Sequence, residues 1–145
     1  MEIYMKKLLL TVLFIFSSFT YCLSDEIIIS PNELPNTVKE FVQKFFPGTS
    51  IMYAEIDYNE YDIRLNSGAE IEFDKSGEWK EIKTYQNFPT EIIPTPAVQA
   101  IKKQYPGAFI IKVEKIWNGY EIKTSNMMEI YIDNKGKILG QKFDN

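Results

Sequence analysis

The stretch Leu34–Gly48, LPNTVKEFVQKFFPG, returns 59 positions later as Ile93–Gly107, IPTPAVQAIKKQYPG. The correspondence continues without a gap to Ile82 in the first copy and Gln141 in the second. The positions that are identical across this offset are mostly turn formers and alternating apolar residues, which set backbone geometry rather than chemistry. The sequence therefore predicts a tandem repeat, with copies at 34–82 and 93–141.

Each copy is predicted to open with an amphipathic helix. Pro35 or Pro94 suits the first helical position, where the missing N–H costs nothing, and a Pro-Gly pair ends each helix. Apolar residues recur at spacings of three and four, which predicts one buried stripe per helix. The stripes are Leu34, Val38, Phe41, Val42, Phe45 and Phe46 in the first copy, and Ile93, Ala97, Ala100, Ile101 and Tyr105 in the second.

After each helix the apolar period changes to two, which predicts four short strands per copy. Asn118-Gly119 favours a type I′ hairpin, and the turns ending in Gly77 and Gly136 join the third strand to the fourth. Counting by twos from the hairpin predicts the inward face of the first two strands in each copy. This face comprises Met52, Ala54, Ile56, Tyr58, Tyr61, Ile63 and Leu65, and then Ile111, Val113, Lys115, Trp117, Tyr120 and Ile122.

The predicted fold class is α+β, a tandem repeat of a helix plus a four-stranded antiparallel meander. One copy cannot hide its own apolar surfaces, so we expect the copies to share one sheet of about eight strands with both helices on one face. A linker is expected near Tyr85 to Ile92, and a short leading strand near Glu26 to Ile29.

The first 24 residues are typical of an export signal. Lys6 and Lys7 precede the apolar run Leu8–Phe19, which is short for a membrane span. We expect cleavage near Asp25, a mature domain at 25–145, no stable membrane span afterwards and a periplasmic or secreted location. An uncleaved anchor and lipid attachment at Cys22 remain alternatives.

Composition narrows the function classes. Loss of residues 1–24 would leave 14 basic and 19 acidic side chains, a net charge of −5, which disfavours nucleic acid and anionic membranes. The chain has no histidine, and its one cysteine, Cys22, would leave with the signal, which removes disulfides and zinc thiolate sites. We expect no cofactor and no metal.

Two acidic patterns in the sequence are candidates for chemistry. The segment Asp57–Asp62 resembles a calcium loop in its oxygen spacing but lacks the glycine and the terminal glutamate of that motif. Glu70 and Glu72 share one strand face, as hydrolytic carboxylates can. No nucleophile lies beside a candidate base, so the sequence favours a protein that is not an enzyme. A carboxylate- or metal-dependent hydrolase and a small-ligand envelope sensor remain alternatives.

The outward sheet face is the remaining candidate, because tyrosines among mixed charges suit protein recognition. Its predicted members are Tyr53, Glu55, Asp62, Arg64, Glu70, Glu72 and Lys80, then Lys112, Glu114, Ile116, Glu121, Lys123, Glu129 and Tyr131. Among these, we select a candidate binding set for a protein partner in the cell envelope, with an enzyme that this chain inhibits as one class of partner. The set is Tyr53, Arg64, Glu72, Lys112, Lys123 and Tyr131.

The motifs also carry a family resemblance. Leu34-Pro35, Phe45–Gly48, Tyr61–Ile63, Ile71–Asp74 and their second copy resemble the PepSY-like, beta-lactamase-inhibitor-like family of exported Bacteroides-type proteins. The likeness covers Leu34 to Phe143. It implies an α+β fold of helix-and-meander units, and a function named after an inhibitor fold. A shared fold does not transfer a binding site, and no site residue is carried over.

Overall fold

The computed structural model describes residues 26–144, so the predicted signal segment and Cys22 lie outside the described residues. The described residues form two helices, α1 (Asn36–Phe45) and α2 (Thr95–Gln104). Short 3-10 turns precede them at Pro31–Glu33 and Thr90–Ile92. The strands are β1 (Ile27–Ile28), β2 (Ile51–Asp57), β3 (Glu60–Leu65), β4 (Glu70–Asp74), β5 (Trp79–Lys83), β6 (Ile110–Ile116), β7 (Gly119–Thr124), β8 (Met128–Asp133) and β9 (Ile138–Phe143).

All nine strands form one sheet in the order of the sequence, and every neighbouring pair is antiparallel. The prediction of an α+β fold with one antiparallel sheet and a short leading strand is confirmed. Directly paired residues share a face, so the register identifies one inward row. This row runs through Ala54, Ile63, Ile71, Ile82, Val113, Ile122 and Ile130. All seven side chains are buried.

Both helices cover this inward face. The ring of Phe41 in α1 packs edge-on against the ring of Phe73 in β4, with 5.3 Å between the ring centroids. Tyr105, just after α2, donates its hydroxyl to Gln141 Oε1 in β9 at 2.6 Å. Apolar residues of both helices and of the strands belong to one core cluster. The predicted stripes are confirmed, and Val98 of α2 also joins the core.

The β4–β5 and β8–β9 turns lie against the starts of the helices. Gly77 and Gly136 both have a φ of +84°, as the sequence predicts. A Cβ on Gly77 would lie 1.9 Å from Thr37 Oγ1, and one on Gly136 would lie 2.5 Å from the backbone nitrogen of Ala97. Glycine is therefore required at these turns by both backbone conformation and close approach.

The predicted inward face is wrong at the ends of β2 and β6. The register shifts between Ile51 and Tyr53, and again between Ile110 and Lys112. Met52 and Ile111 are thus the extra residues of β-bulges, and Met52 is 70 % exposed. A bulge reverses the alternation, so Ile51 and Ile110 face inward instead.

The predicted hairpin turn is also displaced by one residue. Asp57 pairs with Glu60, and Ile116 pairs with Gly119, so the turn residues are Tyr58-Asn59 and Trp117-Asn118. Tyr58 is 91 % exposed and Trp117 is 102 % exposed, and neither faces inward. Gly119 lies in the strand, where a Cβ would stand 1.9 Å from the carbonyl oxygen of Ile132.

Among the described residues, neither helix is long and apolar enough to cross a bilayer.

Candidate functional site

The outward face of the sheet carries two adjacent rows of charge. The acidic row places one carboxylate on each of six consecutive strands. Its members, each directly paired with the next, are Glu55, Asp62, Glu72, Glu81, Glu114 and Glu121. The basic row lies beside it and contains Arg64, Lys83, Lys112, Lys123 and Lys142, together with Tyr53, Glu70 and Glu129. Like charges placed directly opposite each other oppose folding, so the acidic row is a costly arrangement.

The carboxylates at Asp62 and Glu72 are the least compensated part of the acidic row. Within residues 26–144, neither forms an ion pair, and of the other members of the row Glu55 and Glu121 form none either. Asp62 and Glu72 differ from those two in the effect of their surroundings on ionisation. Partial burial raises the pKa of Asp62, and the carboxylate of Glu55 raises it further. Partial burial likewise raises the pKa of Glu72, with Glu81 and Asp62 adding to the effect. Both groups therefore hold their negative charge at a cost.

Glu81 has the opposite surroundings, at the seam where β5 meets β6. It accepts from Lys83 Nζ at 2.7 Å and from Lys112 Nζ at 2.7 Å. Burial works against its charge, but these hydrogen bonds outweigh burial and lower the pKa of Glu81. The Glu81–Lys112 pair joins the two halves of the sheet on the outward side, opposite the Ile82–Val113 pair on the inward side.

Glu129 is the most strongly held carboxylate of the outward face. Its side chain is buried and lies 2.7 Å from Lys142 Nζ and 3.5 Å from Lys123 Nζ. Tyr131 also donates its hydroxyl to Glu129 Oε1. The hydrogen bonds from Lys142 and Tyr131 lower the pKa of Glu129 to about 2.

The two tyrosines of the predicted binding set are fixed in the same manner. Tyr53 donates its hydroxyl to Glu55 Oε2 at 2.6 Å, two residues along β2, as Tyr131 does to Glu129 on β8. The accepting carboxylate raises the pKa of each phenol. Rings that are already fixed lose little conformational entropy when a partner binds.

A depression of about 240 Å³ opens on the outward face of the N-terminal half. Glu55, Asp62 and Glu72 contribute to its wall, and Tyr53 and Arg64 line it as well. Charged and phenolic groups dominate its lining. The depression thus presents the uncompensated part of the acidic row to solvent.

The structure places all six residues of the predicted binding set on the outward face. Tyr53 and Arg64 are cross-strand neighbours, as are Lys112 and Lys123, whereas Glu72 and Tyr131 lie in the adjacent row. Sequence reasoning missed Glu81, Lys83 and Lys142. Side chains alternate between the two faces of a strand, so the two neighbours of the inward residue Ile82, Glu81 and Lys83, could have been predicted to face outward. The 59-residue offset then relates Lys83 to Lys142.

Lys80, predicted to lie on the outward face, sits at a bulge. The register shifts there, because Glu72 pairs with Glu81 while Phe73 pairs with Trp79. Lys80 forms an ion pair with Glu60, which lies two residues before Asp62 on β3 and therefore on the same outward face. Across residues 26–144, no group of three or more histidine, cysteine or acidic side chains is placed to hold a metal ion.

A wide antiparallel sheet with helices on one face and patterned charge on the other defines an α+β protein with an open sheet platform. Residues 23–69 and 59–140 match the family model described as "Putative beta-lactamase-inhibitor-like, PepSY-like". The chain belongs to this family, and the resemblance found in the sequence is confirmed. No protein with a curated description matches the chain.

Three solved structures resemble the chain over most of its length. A "putative periplasmic protein of unknown function" from Bacteroides vulgatus is 30% identical, with a TM-score of 0.75, and the match covers 81% of this chain and 98% of that one. A second B. vulgatus periplasmic protein, of the DUF2874 family, is 30% identical, with a TM-score of 0.73 and coverage of 83% and 98%. A protein from B. thetaiotaomicron described as a "putative calcium-regulated periplasmic protein" is 26% identical, with a TM-score of 0.76 and coverage of 81% and 97%.

Proposed function

We propose that this chain is an exported, non-catalytic binding module that docks a protein partner in the cell envelope through its outward sheet face. The periplasmic descriptions of the similar proteins support that location. The 59-residue correspondence supports an origin by internal duplication, in which two helix-and-meander units were fused. The family description makes an enzyme that the module restrains the first class of partner to test.

One observation carries the proposal, namely the acidic row. Six carboxylates in line across six strands oppose folding, and a row of lysines beside them compensates only part of the charge. Charged groups arranged in this way steer a complementary partner and fix its register. The partner segment that fits best is extended and basic, and crosses the strands of the N-terminal half over Glu55, Asp62 and Glu72.

The test is capture of a partner from the envelope fraction of the producing cells. Asp62→Lys/Glu72→Lys should lose the protein that the wild type recovers. Glu114→Lys/Glu121→Lys is the matched control in the C-terminal half, where Glu114 already lies 3.1 Å from Lys112 Nζ. Equal recovery by wild type and both variants would remove the outward face as the docking surface.

Two further arms sharpen the result. Tyr53→Ala/Tyr131→Ala removes both fixed rings without changing the charge, and should reduce recovery. Repeating the capture with calcium and with magnesium addresses the description of the B. thetaiotaomicron relative. Both cations screen a negative surface alike, so an effect of calcium that magnesium does not reproduce would favour a specific cation site over protein docking.

A further inference from the structure

A second surface feature lies on the helix side of the sheet, away from the acidic row. The end of α1, the β3–β4 turn and the start of the linker after β5 enclose a cavity of about 530 Å³. This volume falls within the range of small-molecule pockets. We name it the linker cavity. It is lined by Phe45, Phe46, Pro47, Thr49, Ser67, Ala69, Thr84, Tyr85, Gln86 and Asn87.

The lining of the linker cavity is uncharged and mixes apolar with polar side chains. Phe46 and Ala69 are buried, and no charged side chain occurs among the lining residues. The Thr49 hydroxyl is already used, because it donates to the carbonyl of Phe46 at 2.7 Å. The amides of Gln86 and Asn87 and the ring of Tyr85 complete the wall. A charged ligand would lose hydration here without gaining a counter-ion.

Thr84 gives the linker cavity a polar feature. This residue is 5 % exposed, and among the described residues its hydroxyl finds no hydrogen-bond partner. Thr124 shows the usual arrangement, since it is 0 % exposed and its hydroxyl lies 2.6 Å from Asn126 Oδ1 and 3.2 Å from the carbonyl oxygen of Met128. A buried hydroxyl without a partner costs free energy, which a ligand could recover.

The second half of the chain carries larger residues at the corresponding positions. The 59-residue offset relates Ala69 to Met128 and Thr84 to Phe143. Met128 packs against the core, whereas Phe143 is 55 % exposed, so Met128 is the replacement that adds volume where the linker cavity has a small side chain. The cavity is therefore a property of the N-terminal half, and the sequence itself supplies a substitution that should fill it.

We propose that the linker cavity binds a neutral, ring-sized small molecule with an apolar body and one hydrogen-bonding group. The body packs against Phe45, Phe46 and Ala69. The polar group meets the hydroxyl of Thr84, a lining residue whose side chain turns to another staggered rotamer when the ligand binds. Tyr85 lies against the backbone of Gly68, where a Cβ would stand 3.7 Å from its ring, and its exposed side chain borders the entrance.

Phenol and toluene are the probes, because they have similar shapes and differ in the hydroxyl. Each is titrated into the isotopically labelled protein while the backbone amide shifts are followed by NMR. We expect shifts centred on Ala69, Thr84 and Tyr85, and tighter binding of phenol than of toluene. No shifts at these amides up to the solubility limit of both probes would overturn the proposal.

Two variants and a control separate the ligand site from general stability. Ala69→Met should fill the cavity and weaken phenol binding by at least about tenfold while the protein stays folded. Thr84→Val should raise the melting temperature of the free protein and abolish the preference for phenol over toluene, whereas Thr124→Val should lower the melting temperature. Unchanged phenol binding in Ala69→Met, or an unchanged preference in Thr84→Val, would contradict the proposal.

The control on the outward face is Asp62→Lys/Glu72→Lys, which should bind phenol as the wild type does. Failure of phenol binding is therefore distinguishable from failure of protein docking.

Discussion

The N-terminal and C-terminal halves of the outward face share a backbone register but differ in how their charges are compensated. Glu55, Asp62 and Glu72 correspond through the 59-residue offset to Glu114, Glu121 and Tyr131. In the C-terminal half, lysines hold Glu114 and Glu129, and a tyrosine replaces the third acid of the row, so that Glu121, which has no ion pair among the described residues, faces one acidic neighbour instead of two. In the N-terminal half, the charge of the row at Asp62 and Glu72 is left without an ion pair in the described part of the chain.

The two halves therefore differ in how their outward charges affect folding. Compensated charges such as Glu129 stabilise the sheet, whereas burial and neighbouring carboxylates raise the pKa values of Asp62 and Glu72 and so oppose the ionisation of these two groups. Sites that work against stability are where binding and catalysis are commonly found. The N-terminal half is therefore the side of the platform where we expect a partner to bind.

The largest expected effect concerns what the halves share. Ile63→Ala and Ile122→Ala remove equivalent buried side chains from the inward row, and each should destabilise the protein by about 2–5 kcal/mol through cavity formation. Because the core is continuous, each variant should shift one cooperative transition in denaturant. Two separate transitions, or an effect confined to one half, would show that the halves fold as independent units.

An intermediate effect is expected at the compensated charge. Glu129→Gln should lower the melting temperature at pH 7, since it weakens the contacts to Lys142 and Lys123. A folded-state pKa of about 2, below the ordinary 4.5, means that the ionised carboxylate contributes stability above pH 4.5 and loses it as the pH falls to about 2. The difference between wild type and variant should therefore vanish over that interval.

The matched control for this substitution is Glu70→Gln, at the corresponding position of the N-terminal half. Within residues 26–144, Arg64 is the one ion-pair partner of Glu70, at 3.0 Å, and both side chains are more exposed than that of Glu129. Exposed pairs contribute little, so its melting temperature should change less. An equal loss in both variants would refute the contrast between the two halves.

The smallest expected effect is a gain in stability. Asp62→Asn and Glu72→Gln each remove a like charge from the acidic row and should stabilise the protein at pH 7 by about 0.5 kcal/mol. The raised pKa of each group sets the sign, because stability is present while the carboxyl is protonated and is lost as the pH rises through the raised pKa. The gain should accordingly appear on the high-pH side of a thermal melting series.

Glu121→Gln is the control for Asp62→Asn, since the two positions correspond. Its cross-strand neighbours are Glu114, which is bound to Lys112, and the uncharged Tyr131. We expect a smaller gain there. A loss of stability in Asp62→Asn and Glu72→Gln would mean that these carboxylates are held by favourable contacts.

Much of the fold was predictable from the sequence, because turn glycines and alternating apolar residues repeat with one spacing. Pro-Gly ends, the glycine turns and the inward isoleucines all lie where the pattern predicts. The pattern failed at Met52 and Ile111, since a bulge reverses the alternation without any marker residue. It failed at Trp117 because Asn118-Gly119 favours a turn one residue later than the one that the strand register sets, in which Gly119 lies in β7 close to the backbone of Ile132.

The sequence predicted that the candidate site lies on the outward face of the sheet, but it did not predict the division of that face into an acidic row and a basic row. Which outward charges lie side by side depends on strand register, and bulges at β2, β5 and β6 set that register. The ion pair between Glu81 and Lys112 joins strands that are separated in sequence by the linker and α2. The linker cavity likewise depends on small residues from separate elements that only the folded chain brings together.

The contrast between the two halves can be measured directly by following each carboxyl carbon through a pH titration by NMR. Asp62 and Glu72 should titrate above their ordinary values of 3.8 and 4.5, while Glu129 should titrate near 2. If Asp62 and Glu72 titrate at or below those values, the N-terminal half holds no costly charge, and the argument for a partner binding there is lost.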